Sequence, residues 1–179
     1  SLIARAEFKY QQHCAIMNSA LAIKEADKEF EAIFGRSYGG LVENYHCDDA
    51  DAVIVTLGSV AGTTRIVVDD LRAKGYKVGL LKLRCLRPFP KEELTKILKN
   101  VNVVGVLEKD ISFGYEGAVF TEVNSALSKL DKMPKTYNFI AGLGGRNISK
   151  EDIKGAFEKI IAYSDSKEIV NNVEFVKLG

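Results

Sequence analysis

Residues 51–90 constrain the fold of this 179-residue chain more than any other stretch. Two short aliphatic runs, 53–55 and 78–81, have the composition of strands that are buried on both faces. Between them, apolar residues at helical spacing run as far as Arg72, and Gly75 follows where a glycine commonly ends a helix. Two buried strands joined by a helix form a βαβ unit, which predicts a parallel sheet with right-handed crossovers.

The N-terminal segment reads as one long helix over residues 1–34, ended by a glycine. Six apolar residues recur at spacings of three and four, which predicts one apolar face, on a helix that packs across the sheet or connects to a neighbouring domain. These residues are Ile16, Ala20, Ile23, Ala26, Phe30 and Phe34. Residues 41–45 then form a short strand or an extended connector.

Strands and helices continue to alternate through the rest of the chain. Further helices are predicted over 91–100 and 118–130, and further strands over 101–107 and 136–141. Ser149, with Asp152 three residues later, predicts a capping box at the start of a last helix, and residues 173–178 read as an edge strand. This rhythm predicts a three-layer α/β/α sandwich with a mainly parallel sheet, placed at residues 41–179 after an N-terminal helix and connector at 1–40.

Composition narrows the classes of partner. A formal net charge of +1 gives no reason to expect nucleic acid or an anionic membrane surface. No apolar run approaches the roughly 20 residues that a membrane helix needs. Three cysteines without any CxxC spacing favour free thiols in a reducing cytoplasm. Because the chain starts at Ser1 within what reads as continuing sequence, we expect it to be a piece of a longer polypeptide.

A glycine-rich turn follows the first core strand and contains Gly58, Ser59, Gly62 and Thr63. Its backbone N–H groups and the start of the next helix could hold a phosphate or carboxylate. The turn is neither a GxGxxG nor a Walker motif. The alternative is a tight turn in which Ser59 or Thr63 caps the helix, and the pattern favours this alternative.

Two arginine-containing segments are further candidates for binding an anion or a neighbouring domain. Arg84 and Arg87 lie three residues apart beside two prolines, a stiff arrangement that suits bidentate recognition of carboxylate or phosphate. A salt bridge within the chain or between domains is the favoured alternative. Gly144, Gly145 and Arg146 follow another strand and could clamp an anion, or form only a flexible turn.

Residues for catalysis or metal binding are scarce. Two His–Cys pairs, at 13–14 and 46–47, do not assemble a ligand set, because neighbouring side chains diverge and the chain has no other histidine. Glu108 and Asp110 end the third core strand and could act as acid or base, although the sequence identifies no partner for them. We therefore predict no catalytic residue and no metal ligand in this segment.

Four segments together are more specific than any one of them. They are FGRSYGGLVENY, VIVTLGSVAGTTRIVVDDLRAKGYKVGLLKLRCLRPFP, SFGYEG and FIAGLGGRNI. Over residues 10–157 the chain resembles the C-terminal part of the α subunit of pyruvate:ferredoxin oxidoreductase and related 2-oxoacid:ferredoxin oxidoreductases. The resemblance implies a flavodoxin-like domain similar to the transketolase C-terminal domain, in agreement with the pattern of strands and helices.

The resemblance also implies a role in a complex that oxidatively decarboxylates a 2-oxoacid. Such a complex uses thiamine diphosphate, Mg²⁺, coenzyme A and [4Fe-4S] clusters, and it passes electrons to ferredoxin. In that family these cofactors belong to other segments, so this domain is expected to bind none of them. Its expected partners are the other domain of the α subunit and the β, γ and δ subunits. The substrate could be pyruvate, 2-oxoisovalerate or 2-oxoglutarate; a free-standing nucleotide- or anion-binding module is the alternative.

Overall fold

A central six-stranded sheet organises the chain in the computed structural model, which describes residues 2–166 and 173–177, with side chains from Arg5 onward. The helices are α1 (Leu2–Phe34), α2 (Val60–Arg72), α3 (Lys91–Leu98), α4 (Ala118–Leu127) and α5 (Lys150–Asp165). The strands are β1 (Val42–Tyr45), β2 (Ala52–Leu57), β3 (Val78–Leu83), β4 (Val103–Glu108), β5 (Lys135–Ile140) and β6 (Val173–Phe175).

The strands lie in the order β1-β3-β2-β4-β5-β6. Strand β1 is antiparallel to β3, and the other neighbouring pairs are parallel. Apart from Thr56 and Glu108, the central strands β2 and β4 consist of apolar residues and glycine, because helices cover both faces of the sheet. The predicted mainly parallel sheet is therefore confirmed, with one antiparallel edge.

Two apolar clusters, one on each face of the sheet, form the core. Helices α3 and α4 pack on one face through residues such as Leu94 and Phe120. Helices α2 and α5 pack on the other face through residues such as Val68 and Phe157. Alternate side chains of each strand point to the two clusters, as the pleat requires. The predicted α/β/α sandwich is confirmed.

Helix α1 stands apart from this core. None of its side chains between residues 5 and 34 is buried, and the predicted apolar face is partly covered at three of its six residues and exposed at the other three. Ile16 and Phe34 on that face are exposed, whereas Ile23 and Phe30 are partly covered. Of the two predicted alternatives, packing across the sheet is wrong, and a connection to a neighbouring domain stays a prediction. The division into residues 1–40 and 41–179 stays a prediction.

Side chains near the C-terminal end of α1 attach it to the body. Lys24 forms an ion pair with Glu93 of α3. The carboxylate of Asp27 accepts hydrogen bonds from the Ser37 hydroxyl at 2.6 Å and the Tyr38 amide at 3.0 Å, and Arg84 lies 3.5 Å away. The Ser37 hydrogen bond is the largest of the contributions that lower the pKa of Asp27.

The C-terminal part differs slightly from the predicted boundaries. Helix α5 begins at the predicted capping box, where the Ser149 hydroxyl accepts from the Asp152 amide and the Asp152 carboxylate accepts from the Ser149 amide. Strand β6 ends at Phe175, shorter than the predicted strand over 173–178, whose last residue lies outside the described residues. The Lys135 ammonium binds the carbonyls of Tyr163 and Ser164 at 2.8 Å each, near the end of α5.

Cys47 follows β1 in the segment that connects it to β2. Its side chain packs in the core and is 2% exposed. Its thiol donates to the Leu80 carbonyl at 3.2 Å. Burial raises the pKa of the Cys47 thiol to about 12. This cysteine is therefore a neutral packing residue at physiological pH.

Candidate functional site

The topology places a crevice between the ends of β2 and β4. These strands are neighbours, yet the chain leaves β2 through α2 towards β3 and leaves β4 through α4 towards β5, on opposite sides. Ligands in open α/β sheets commonly bind at such a switch point, outside the carboxyl ends of the strands. A cavity of about 640 Å³ occupies this position, which we call the switch-point crevice.

The walls of the switch-point crevice are largely apolar, with a polar mouth. Leu57, Leu86, Leu107, Val119 and Ile148 contribute most of the apolar wall. Charged side chains at the same site are Arg87, Glu108, Lys109, Asp110 and Glu122. An apolar pocket of this size with a few converging polar groups has the character of a small-molecule or partner-binding site.

Glu108 is the most deeply buried charged residue of the crevice, at 2% exposure. Its carboxylate accepts hydrogen bonds from the Val119 amide at 2.8 Å and the Phe120 amide at 3.1 Å, in the first turn of α4. The Asn138 side-chain amide donates to the same carboxylate at 2.8 Å, while its oxygen accepts from the Gly117 amide at 2.9 Å. Glu108 thus caps α4 from the neighbouring strand.

Gly117 makes this capping contact possible. A Cβ atom at Gly117 would overlap the Glu108 carboxylate, so only glycine lets the start of α4 approach so closely. Burial raises the pKa of Glu108 to about 7, with the backbone amides opposing the effect and Asp110 adding to it. Sequence reasoning noted Glu108 but missed its partners, because they lie on α4 and β5.

Arg87 lies at the mouth of the crevice and is already paired. Its guanidinium forms a bidentate contact with Glu122 of α4, at 2.9 and 2.5 Å. The favoured alternative, an ion pair within the chain, is the arrangement observed for Arg87. The planar fork is directed at Glu122 and links the turn after β3 to α4.

The glycine-rich turn contributes only its first half to the crevice. Gly58 and Ser59 line the cavity, whereas Gly62 and Thr63 lie within α2. Ser59 precedes the helix, but its hydroxyl makes no capping hydrogen bond, so the side-chain cap proposed as the alternative is absent for Ser59. Gly58 has a φ of +71°, a left-handed turn that favours glycine. Anion binding by this turn stays a prediction.

The other arginine candidates lie away from the crevice. Arg84 pairs with Asp27 and stacks over the Tyr38 ring, with the guanidinium carbon 5.2 Å from the ring centroid. Gly144 and Arg146 border a separate cavity of about 290 Å³ near β6, and Arg146 donates to the Lys177 carbonyl. Gly145 has a φ of +79° in the same loop. The structure therefore does not gather the predicted residues into one site.

The loop between β4 and α4 displays two exposed aromatic side chains near the crevice. Phe113 is 94% exposed and Tyr115 is 66% exposed. The Tyr115 amide donates to the Ser112 carbonyl at 2.9 Å, and the Ser112 amide donates to the Glu116 carbonyl at 3.0 Å. A hydrogen-bonded turn that presents aromatic residues to solvent is typical of a contact surface.

The residues present do not fit an iron–sulfur cluster. A [4Fe-4S] cluster takes four cysteine thiolates, whereas the chain has three cysteines, one of which is the protonated Cys47. Across residues 2–166 and 173–177, no group of three or more His, Cys, Asp or Glu side chains could hold a metal ion. In those same ranges, no helix is long and apolar enough to cross a membrane.

Comparison with known proteins places the chain in a family. Residues 50–153 match the family model described as pyruvate:ferredoxin oxidoreductase core domain II. The chain belongs to this family. The match begins just before β2 and ends within the first turn of α5, so it includes the switch-point crevice and leaves out α1.

Relatives support the same assignment over a longer stretch. The chain is 44% identical over 154 residues to the pyruvate synthase subunit PorA of Methanosarcina barkeri, covering 86% of this chain and 38% of that subunit. It is 40% identical over 172 residues to the ketoisovalerate oxidoreductase subunit VorA of Pyrococcus abyssi, covering 96% of this chain and 44% of that subunit. The chain thus spans about two fifths of the length of these relatives.

Two solved structures share the fold. A 2-oxoglutarate:ferredoxin oxidoreductase from Magnetococcus marinus has a TM-score of 0.51 and 21% identity, over 80% of this chain and 23% of that chain. A split-gene transketolase also has a TM-score of 0.51, with 18% identity, over 67% of this chain and 41% of that chain. The predicted similarity to transketolase is therefore confirmed for the fold.

Proposed function

We propose that this chain is the C-terminal domain of the α subunit of a 2-oxoacid:ferredoxin oxidoreductase, with pyruvate as the preferred substrate. Its role is noncatalytic: it assembles the complex and supports the active site formed by other segments. The observation that carries the proposal is the 44% identity to a PorA subunit, of which this chain matches only 38%. The chain has the sequence of one part of such a subunit.

The chemistry of the switch-point crevice favours a noncatalytic role for this domain. Three charged groups of the switch-point crevice are engaged: Glu108 with the α4 amides, and Arg87 with Glu122. A general base or nucleophile needs a free reactive group and a partner that activates it. The contacts of Glu108 and Arg87 leave neither of these two side chains free for such a role.

We also propose that the cofactors and the electron acceptor contact other parts of the complex. Thiamine diphosphate, Mg²⁺, coenzyme A and [4Fe-4S] clusters would be held by the preceding domain of the α subunit and by the β, γ and δ subunits. Ferredoxin would be reached through the complex. The three cysteines, without a disulfide in the described chain, support a cytoplasmic location.

A pair of domain grafts tests this function. This chain would replace the matched 154 residues of PorA from Methanosarcina barkeri, or the matched 172 residues of VorA from Pyrococcus abyssi, each expressed with the other subunits of its own enzyme. We expect both grafts to assemble and to reduce a viologen dye, each with the host's own 2-oxoacid and coenzyme A. If both grafts assemble but oxidise the same 2-oxoacid in either host, this domain determines the substrate of the enzyme. That result would contradict the proposal.

The isolated chain supplies the control for the noncatalytic role. With thiamine diphosphate, Mg²⁺, coenzyme A and a viologen dye, it should not turn over pyruvate. Turnover by the purified chain would contradict the proposal.

A second candidate function is a small-molecule binding module that uses the crevice. The 640 Å³ volume at the switch point and the start of α2 beside Gly58 favour it. Thermal-shift titration with nucleotides and coenzyme A separates the two functions, because a ligand that binds only the folded state raises the Tm by mass action. A shift at millimolar concentrations would support binding, and no shift would favour the purely structural role.

A further inference from the structure

A short turn beside the switch-point crevice is held to the body at few points. We call residues 111–116, between β4 and α4, the aromatic turn, because it carries the exposed Phe113 and Tyr115. The backbone hydrogen bonds described for this turn close within it, between Ser112 and Glu116 and between Tyr115 and Ser112. The aromatic turn is therefore a small closed unit, and its position depends on the contacts at its two ends.

The two ends of the aromatic turn are attached by different kinds of contact. At the α4 end, the Thr121 hydroxyl donates to the Glu116 carboxylate at 2.9 Å, a hydrogen bond that needs no shared proton. At the β4 end, the Asp110 carboxyl lies within hydrogen-bonding reach of the buried Glu108 carboxyl. The contact at the β4 end therefore depends on which protons the two carboxyl groups bind.

A shared proton determines whether the contact between Glu108 and Asp110 is attractive or repulsive. When one carboxyl group is protonated, its O–H can donate to the carboxylate of the other in a short, strong hydrogen bond. When both are ionised, the two negative charges repel each other, most strongly where water is excluded. The Val119 and Phe120 amides and Asn138 hold Glu108 in place. Asp110 is exposed at the start of the loop, so it is the partner that can move.

We propose that Glu108 and Asp110 form a pH-sensitive latch for the aromatic turn. With a shared proton the latch is closed, and the β4 end of the turn is held beside the buried end of the crevice. With both carboxyl groups ionised the latch opens, and the turn moves about its attachment to α4. This movement changes the mouth of the crevice and the way Phe113 and Tyr115 are presented. The latch is a property of this domain alone, whichever complex the domain belongs to.

The pKa of Glu108 gives the direction of the switch. Burial is the largest of the contributions that raise this pKa to about 7, and the hydrogen bond with Asp110 adds to it. The Val119 and Phe120 amides and the Asn138 side chain act in the opposite direction. The shared proton is bound below about pH 7 and lost above it. The latch is therefore closed in mildly acidic solution and open in mildly alkaline solution.

The other charged groups around Glu108 offer no second pair that could share a proton. From the turn after β3, Arg87 makes its bidentate contact with Glu122 of α4, so these two charges offset each other. Lys109 follows Glu108 in the chain, and its side chain packs beside Gly142 after β5. The part of β2 that lines the crevice contributes no charged residue. Among the residues that line the crevice, the third carboxylate, that of Glu122, is thus occupied by Arg87.

Spin labelling of the aromatic turn tests the latch. Phe113→Cys in a Cys14→Ser/Cys85→Ser background carries the nitroxide label, because the remaining Cys47 thiol is buried. The mobile fraction of the electron paramagnetic resonance spectrum should rise at least about twofold between about pH 6 and about pH 8, where the ionised fraction of Glu108 changes most. The midpoint should lie near pH 7.

Two variants that keep the latch closed separate it from a general effect of pH. In Asp110→Asn, the amide can accept from a protonated Glu108 and donate to an ionised one, so the label should stay in its less mobile state throughout. Glu108→Gln should give the same result, because its amide donates to the Asp110 carboxylate at every pH tested. A label at Tyr76→Cys, a half-exposed position between α2 and β3, is the matched control and should not respond to pH.

Either of two results would overturn the proposal. One is a label at residue 113 whose mobility stays constant over the same pH range. The other is a pH-dependent change that persists in Asp110→Asn, since the responsible group would then lie elsewhere. Circular dichroism of each variant checks the fold. If Glu108→Gln is unstable, Asp110→Asn alone decides the outcome, because residue 110 is exposed and its replacement leaves the core intact.

Discussion

The α/β body and helix α1 differ in how their apolar residues are used. Phe120, Phe139 and Phe157 in the body are fully buried, whereas Phe8 and Phe34 in α1 are 66% and 59% exposed. Both regions contain apolar residues at helical spacing, so spacing alone does not distinguish them. The body buries most of its apolar side chains in its own core, whereas α1 buries none of the apolar side chains described.

The largest expected effect comes from one substitution made in both regions. Leu127→Ala in α4 removes a fully buried side chain and should lower the free energy of unfolding by about 2–5 kcal/mol, because it leaves a cavity in the core. Leu21→Ala in α1 removes a 64% exposed side chain and should change it by less than about 0.5 kcal/mol. Both sites are helical, so helix propensity cancels from the comparison.

Urea denaturation at micromolar protein measures the free energy of unfolding of both variants. Similar losses for the two variants would show that α1 is packed within the monomer, and would contradict the division drawn here. A small loss for both would mean that the core tolerates the cavity.

The second prediction, with a smaller expected effect on stability, concerns Glu108, whose side chain links β4 to α4 inside the body. The pKa of Glu108 is raised by burial from 4.5 to about 7, so the folded state binds a proton more tightly than the unfolded state does. Stability from this group is therefore fully present below about pH 4.5 and is lost as the pH rises through about 7. Glu108→Gln cannot titrate and should lack this dependence.

The measurement is the difference in Tm between wild type and Glu108→Gln as a function of pH. Relative to the variant, the wild type should become less stable between about pH 4.5 and 7, with a constant difference outside that window. Glu92→Gln, at an exposed position in the first turn of α3, is the control and should not reproduce the change. A pH-independent difference for Glu108→Gln would contradict the raised pKa.

The smallest effect concerns the attachment of α1 to the body. Asp27→Asn removes the carboxylate that accepts from Ser37, Tyr38 and Gly39, and should increase hydrogen exchange at the Tyr38 and Gly39 amides with little change in global stability. Since the pKa of Asp27 is lowered, the same loosening should occur in the wild type as the pH falls below about 3.8. Glu29→Gln, an exposed carboxylate on the same helix, should leave both amides unchanged.

Much of the fold follows from local pattern. The aliphatic runs of β2, β3 and β4 and the capping box at Ser149 are visible in the sequence because neighbouring residues determine them. The antiparallel pairing of β1 with β3 depends on contacts between residues far apart in the sequence, and no local pattern predicts it. The exposure of α1 was not predicted for the same reason. Apolar residues at helical spacing indicate one apolar face of a helix, but they do not indicate which part of the protein covers that face.

The candidate site was less predictable than the fold. Gly58, Ser59 and Arg87 were identified from their motifs and do line the crevice. The network around Glu108 was not predicted, because it joins the end of β4, the start of α4 and Asn138 of β5. One signal for this network was available in the sequence. Glu108 directly follows the buried run 103–107, so burial of its side chain with that run was to be expected. A buried carboxylate needs hydrogen-bond donors, which predicts partners close to the end of β4.

The buried thiol of Cys47 gives this protein an internal reporter of opening. A thiol-specific reagent requires the exposed thiolate, so Cys47 can react only when β1 separates from the core. The more accessible Cys14 and Cys85 can be replaced or blocked beforehand. The labelling rate of Cys47 under native conditions would then measure the free energy of opening at the antiparallel edge of the sheet, without denaturant.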